Sequence, residues 1–171
     1  MDSLKIIKQN CNKYLLARKK FLEFAESPQS KGLLVGNDNI IGSRIGEFIA
    51  WQLLKEEGRK PEINPQNNTK DYDITCGDGK KITVKLISVE NKIGRTTRIG
   101  NEWDEFILIL LNKKYKISSI GKITKKEFEV VIKNSKGRSK NPYVSRTMLN
   151  KNGLFRIAKA EIYEKNLSLY L

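Results

Sequence analysis

Histidine does not occur anywhere in these 171 residues. Its absence excludes histidine acid–base pairs, His-metal nuclease chemistry and any zinc site built on imidazole. Cysteine is almost absent too. Cys11 and Cys76 are too few for a metal cage or a disulfide scaffold, and they read as reduced thiols half inside the fold. No apolar run approaches the ~20 residues that span a bilayer, and the start, Met1-Asp2-Ser3-Leu4-Lys5, has no signal-peptide core. A soluble, cytoplasmic protein with no membrane partner is expected. No internal repeat and no domain-splitting linker is visible, so residues 1–171 are expected to form a single domain.

Acidic residues are scarce. Lys and Arg number 33 against 19 Asp and Glu, a net charge of +14. A domain this basic usually meets a polyanion. Nucleic acid is the first candidate, with ribosome association or an anionic surface as competitors. The imbalance is greatest from Lys133 to Lys159, where every charge is positive. Lys136, Arg138, Lys140, Asn141, Tyr143, Arg146, Asn150 and Lys151 alternate there with hydroxyl and amide side chains. Arg reads guanine edges, Asn reads adenine edges, and Lys and hydroxyls hold phosphates. DNA contact is expected from this run, against the plainer reading of a solvated basic loop. Arg95 and Arg98 sit in a second polar, glycine-flanked stretch, Ser88 to Asn101, which is equally suited to a phosphate backbone or to solvent.

The stretch from Lys70 to Ser88 reads as a β-hairpin around Gly77-Asp78-Gly79. Lys85 interrupts its apolar second strand, and an unpaired ammonium there costs several kcal/mol. A two-residue Asp78-Gly79 turn would pair Asp73 with Val84 and send Asp73 and Lys85 to opposite faces. A three-residue loop, Gly77 to Gly79, pairs Asp73 with Thr83. Alternation then puts Asp73, Thr83 and Lys85 on one face and Ile82, Val84 and Leu86 on the other. The longer loop is favoured because it gives Lys85 a partner. It requires Gly79 in the left-handed conformation.

Asp73, followed after nine residues by Thr83-Val84-Lys85, resembles the PD-(D/E)xK nuclease motif. In that family an Asp and a Glu or Asp hold a divalent metal, and the Lys assists the attacking water. Tyr72 replaces the usual Pro. Thr83 stands where the second carboxylate belongs; some members with a neutral residue there stay active with a carboxylate from elsewhere, and others have lost catalysis. A helix of the form Gly46-Glu47-Phe48-Ile49-Ala50 commonly precedes the hairpin in such nucleases, its Glu aimed at the metal. Glu47 is therefore the first choice for the missing ligand, ahead of Glu90 and Glu102. The resemblance implies Mg²⁺ held by Asp73, Glu47 and the Val84 carbonyl, with Asp73, Thr83, Lys85 and Glu47 making the catalytic site. It implies an α/β (α+β) restriction-endonuclease-like core, a mixed central sheet flanked by helices, over residues 40–123. Residues 1–39 would add an N-terminal helix and loop, and 124–171 a basic DNA-contacting part. The implied activity is that of a small type II restriction endonuclease cutting double-stranded DNA as a homodimer. A junction-selective nuclease and a DNA-binding protein with a degenerate site are the alternatives.

The remaining elements follow from periodicity. Residues 3–26 read as an amphipathic helix, and Ile40 to Glu57 as a second one capped by Asn39 and closed by Gly58. Residues 59–70 read as a polar connector. Glu105 to Leu111 is a central strand and Tyr115 to Ile123 its return. Thr124 with Glu127 forms a capping box. Leu154 to Leu171 fits neither period alone.

Overall fold

The computed structural model describes residues 3–25, 27–30, 45–64, 72–91, 93–135, 139 and 141–171. Helix α1 (Ser3–Ala25) matches the expected amphipathic segment. Helix α2 (Gly46–Glu56) falls within the expected segment, whose start at Ile40 and proposed cap Asn39 lie outside the described residues. Gly58 ends α2 with φ of 76°, while Arg59 N–H reaches the Leu54 carbonyl and Gly58 N–H the Lys55 carbonyl, each at 3.0 Å. Those two bonds satisfy carbonyls that the helix end would orphan. The connector that follows is not wholly a loop: Pro61–Ile63 forms an edge strand, β1. Proline is tolerated there because an edge position need not donate.

Strands β2 (Ile74–Cys76) and β3 (Lys81–Ile87) form the hairpin. Cys76 N–H donates to Lys80 O at 3.0 Å, Gly79 N–H to Cys76 O at 2.8 Å, and Gly79 has φ of 79°. The loop thus spans Gly77 to Gly79, and Ile74 lies opposite Ile82. Arg95–Arg98, expected in an irregular stretch, is instead strand β4. Strand β5 (Glu105–Leu111) is buried at every position. Strand β6 (Ile117–Thr124) starts later than expected. Tyr115 belongs to the preceding turn with φ of 55°, where the Asn112 side chain accepts from Lys114 N–H and Lys116 N–H. Thr124 and Glu127 complete the capping box of α3 (Lys125–Asn134). The C-terminal part contains β7 (Tyr143–Ser145), α4 (Leu154–Ile157) and β8 (Glu161–Tyr163). A one-turn helix followed by a three-residue strand explains why no single period fits this segment.

The mixed, mostly antiparallel sheet has the order β1-β2-β3-β5-β6-β8, and only β3 and β5 run parallel. A separate ribbon pairs β4 with β7. The sheet separates two apolar clusters. Ile82, Val84 and Leu86 join Ile107, Ile109 and the α1–α2 side chains on one face. Ile87, Phe106 and Leu108 join α3, α4 and the ribbon residue Val144 on the other. Gly121 lets α4 approach β6, because a Cβ there would fall 2.7 Å from Phe155 Cδ1.

Candidate functional site

The odd-length turn sets the geometry of the site. Ile74 and Ile82 point into the first core, so Asp73 and Thr83 point to the second face, and alternation brings Lys85 to the same side. The Asp73 carboxylate Oδ2 accepts the Val84 backbone N–H at 2.6 Å and lies 3.4 Å from the Thr83 hydroxyl. Thr83 is buried and Lys85 half-buried. Asp73, Thr83, Val84 and Lys85 are therefore one constellation, fixed by hairpin register.

Its electrostatics favour a cation. Burial pushes the Asp73 carboxyl above its ordinary range, and this outweighs three opposing influences: the Val84 N–H, the Lys85 charge and the Thr83 hydroxyl. A carboxylate held rigid yet short of compensating positive charge suits a divalent cation, which would remove that deficit.

Glu47 lies in the first turn of α2 and is 6 % exposed. Helix α2 covers the face of β3 that carries Val84 and Leu86, opposite Asp73; a Cβ on Gly46 would stand 3.1 Å from Leu86 Cβ. Strand β2 pairs only through Ile74 and Thr75, with Ile82 and Lys81. Beyond Thr83, β3 has no strand partner on that flank among the described residues. The first turn of α2 meets β3 through Gly46, beside Leu86 and Val84.

The other two carboxylates are committed elsewhere. Glu90 takes both nitrogens of an Arg18 fork at 3.2 and 3.1 Å and the Tyr115 hydroxyl at 2.8 Å. It joins α1 to the β5–β6 turn. Glu102 is exposed and pairs with Lys81 at 3.3 Å. Among the described residues no cluster of three or more acidic or cysteine side chains is gathered for a metal. The Cys11 and Cys76 thiols are pushed up by burial and stay protonated.

The expected DNA-contacting residues are distributed over several structures. Arg95 and Arg98 are exposed on β4, and Tyr143 on β7. The Arg98 guanidinium lies over the Tyr143 ring, 4.7 Å from its centroid. Arg146 is half-buried and donates to the Ser88 carbonyl at 2.9 Å, so it holds the backbone together. Asn141 is half-buried. Asn150 and Lys151 are exposed on the rim of a cavity of about 510 Å³ that Arg156 also lines. Lys136, Arg138 and Lys140 lie outside the described residues. Sequence reasoning missed that the two basic stretches meet in one ribbon; strands of four and three residues leave no periodic signal.

No protein-family model and no curated protein matches this sequence.

Proposed function

We propose that the protein is a metal-dependent endonuclease acting on double-stranded DNA, with its site at Asp73 and Lys85 and a PD-(D/E)xK-like core around it. The observation that carries this reading is the juxtaposition of a half-buried, charge-deficient carboxylate, Asp73, with Thr83 and Lys85 on one face of a hairpin. A half-buried lysine and a half-buried carboxylate beside each other make a functional site more credible than a structural one.

Mg²⁺ fits the donor set, with Asp73 as the anchoring ligand and the Val84 carbonyl and Glu47 completing it. Bound there, the ion supplies charge neutralisation at the phosphate and a lowered pKa for water. The protein contributes the rest. The Val84 N–H fixes one Asp73 oxygen, leaving the other for the ion. Lys85 orients the attacking water and offsets the negative charge that develops on the phosphate. Glu47 supplies the carboxylate that Thr83 cannot. The net charge of +14 draws the duplex to the surface. Cutting both strands at a short palindrome requires two copies related by a two-fold axis.

Digestion of a sequenced plasmid with Mg²⁺, with fragment ends mapped, tests the proposal. Discrete ends that vanish with EDTA are expected. A second reading, a DNA-binding protein with a degenerate site, is favoured by the neutral Thr83 hydroxyl beside Asp73. Tight binding to duplex DNA without any metal-dependent cleavage would establish it instead.

A further inference from the structure

Two segments far apart in sequence, Arg95–Arg98 and Tyr143–Ser145, pair as an antiparallel ribbon outside the main sheet, with Arg98 opposite Tyr143 and Arg95 opposite Ser145. Its inner side is fixed: Val144 is fully buried, and Ile99 and Met148 at its ends are buried as well. Its outer side carries Arg95, Thr97, Arg98 and Tyr143, all exposed. Among the described residues the arginine ion pairs involve Arg18, Arg59 and Arg156, and neither Arg95 nor Arg98 has a carboxylate partner. The cation–π contact with Tyr143, 4.7 Å to the ring centroid, holds the Arg98 guanidinium over the ribbon.

The ribbon is also tied to the strand that carries Lys85. Strand β4 touches β3. Arg146 bridges the two, its guanidinium donating to Ser88 O and its backbone N–H to Gly94 O, each at 2.9 Å. Ser88 follows Lys85 by three positions, about 10 Å along an extended strand. The ribbon and the strand carrying Lys85 are thus held side by side. The major groove of B-DNA is about 12 Å wide and admits a two-stranded β-ribbon.

We propose that the β4–β7 ribbon enters the major groove of duplex DNA and reads sequence there, with Arg98 pairing to a guanine edge and Arg95 to a neighbouring base or phosphate. This rests on DNA being the substrate of the Asp73 and Lys85 site, and it names the element that chooses where that site acts. An unstacked arginine would serve a phosphate equally well. A guanidinium fork resting over an aromatic ring is limited in its motion, and its paired donors match the two acceptors, O6 and N7, of guanine.

The test uses Lys85→Ala protein, expected to bind without cutting, to select sites from a random duplex library. Anisotropy titrations then compare the selected duplex with a scrambled one. Arg98→Ala and Arg98→Lys are each expected to lower the preference about tenfold or more. Arg98→Lys should leave binding to the scrambled duplex within about twofold, since the charge is kept. Replacing the preferred guanine by 7-deazaguanine should weaken binding of the Arg98 protein by a similar factor and leave Arg98→Lys unaffected. Unaltered preference in both variants, no selected sequence at all, or equal binding to duplex RNA would overturn the ribbon as reader. If Lys85→Ala and the parent protein bind no DNA of any kind, the nuclease reading itself falls.

Discussion

Replacing Asp73 by Asn should stabilise the protein at neutral pH while ending its cleavage of DNA. Asn is isosteric and can still accept the Val84 N–H now held at 2.6 Å, but it removes a charge that burial disfavours more than its neighbours favour. The gain should be on the order of 0.5–2 kcal/mol, the usual size of a single stabilising change. Asp73→Ala is the informative contrast. It leaves the buried Val84 N–H without that acceptor, a loss of about 1–3 kcal/mol. Thermal midpoints for a chain of this size move by about 2–4 °C per kcal/mol, so the Ala variant should melt roughly 2–12 °C below the Asn variant. The pH dependence has a defined sign. Because the folded Asp73 titrates above its ordinary value of 3.8, folding loses stability as pH rises from that value through the folded one. The advantage of Asn should therefore be complete above the folded value and close in acid. Melts of the three proteins from pH 3.5 to 7.5 measure this directly. A wild-type protein more stable than Asp73→Asn at pH 7.5, or a gap that widens in acid, would refute the reasoning.

Three further outcomes are expected. Glu47→Gln should raise the Mg²⁺ concentration for half-maximal cleavage by about tenfold or more, and an unchanged requirement would remove Glu47 from the site. Gly121→Ala should lower the urea midpoint by the equivalent of about 1–3 kcal/mol, because the new Cβ would collide with Phe155 and Leu149; an unchanged midpoint would mean that α4 can move away from β6. The affinity for duplex DNA should fall linearly on a log–log salt plot, and Arg95→Ala and Lys151→Ala should each reduce the slope by about 1, whereas an unchanged slope would place that side chain off the backbone.

How far the fold could be read from sequence differed with the locality of each signal. The hairpin register depended on a turn whose residues allow few backbone shapes, and Gly79 adopts the positive φ that this turn needs. Strand β5 announced itself by an unbroken apolar run, and the α3 cap by Thr124 and Glu127, all local signals. Strand β1 was missed because Pro61-Glu62-Ile63 is a short, largely exposed edge segment with no alternation to detect. The β4–β7 ribbon was missed for a different reason. Its pairing joins residues 95–98 to 143–145, and its main apolar anchor is the single buried residue Val144. The site divides in the same way. Asp73, Thr83 and Lys85 follow from two-residue alternation. The placement of Glu47 depends on how α2 packs on β3, which no local pattern records.

The most direct test of the central claim is single-turnover cleavage of duplex DNA by wild-type protein, Asp73→Asn and Lys85→Ala, with Mg²⁺ and with EDTA. The wild type should cut only with Mg²⁺. Each variant should be slower by about 10²–10⁴-fold, the usual contribution of a positioned acid or base, while binding the same DNA with near wild-type affinity. Cleavage by Lys85→Ala at the wild-type rate, or tight binding by a wild-type protein that never cuts, would contradict the assignment.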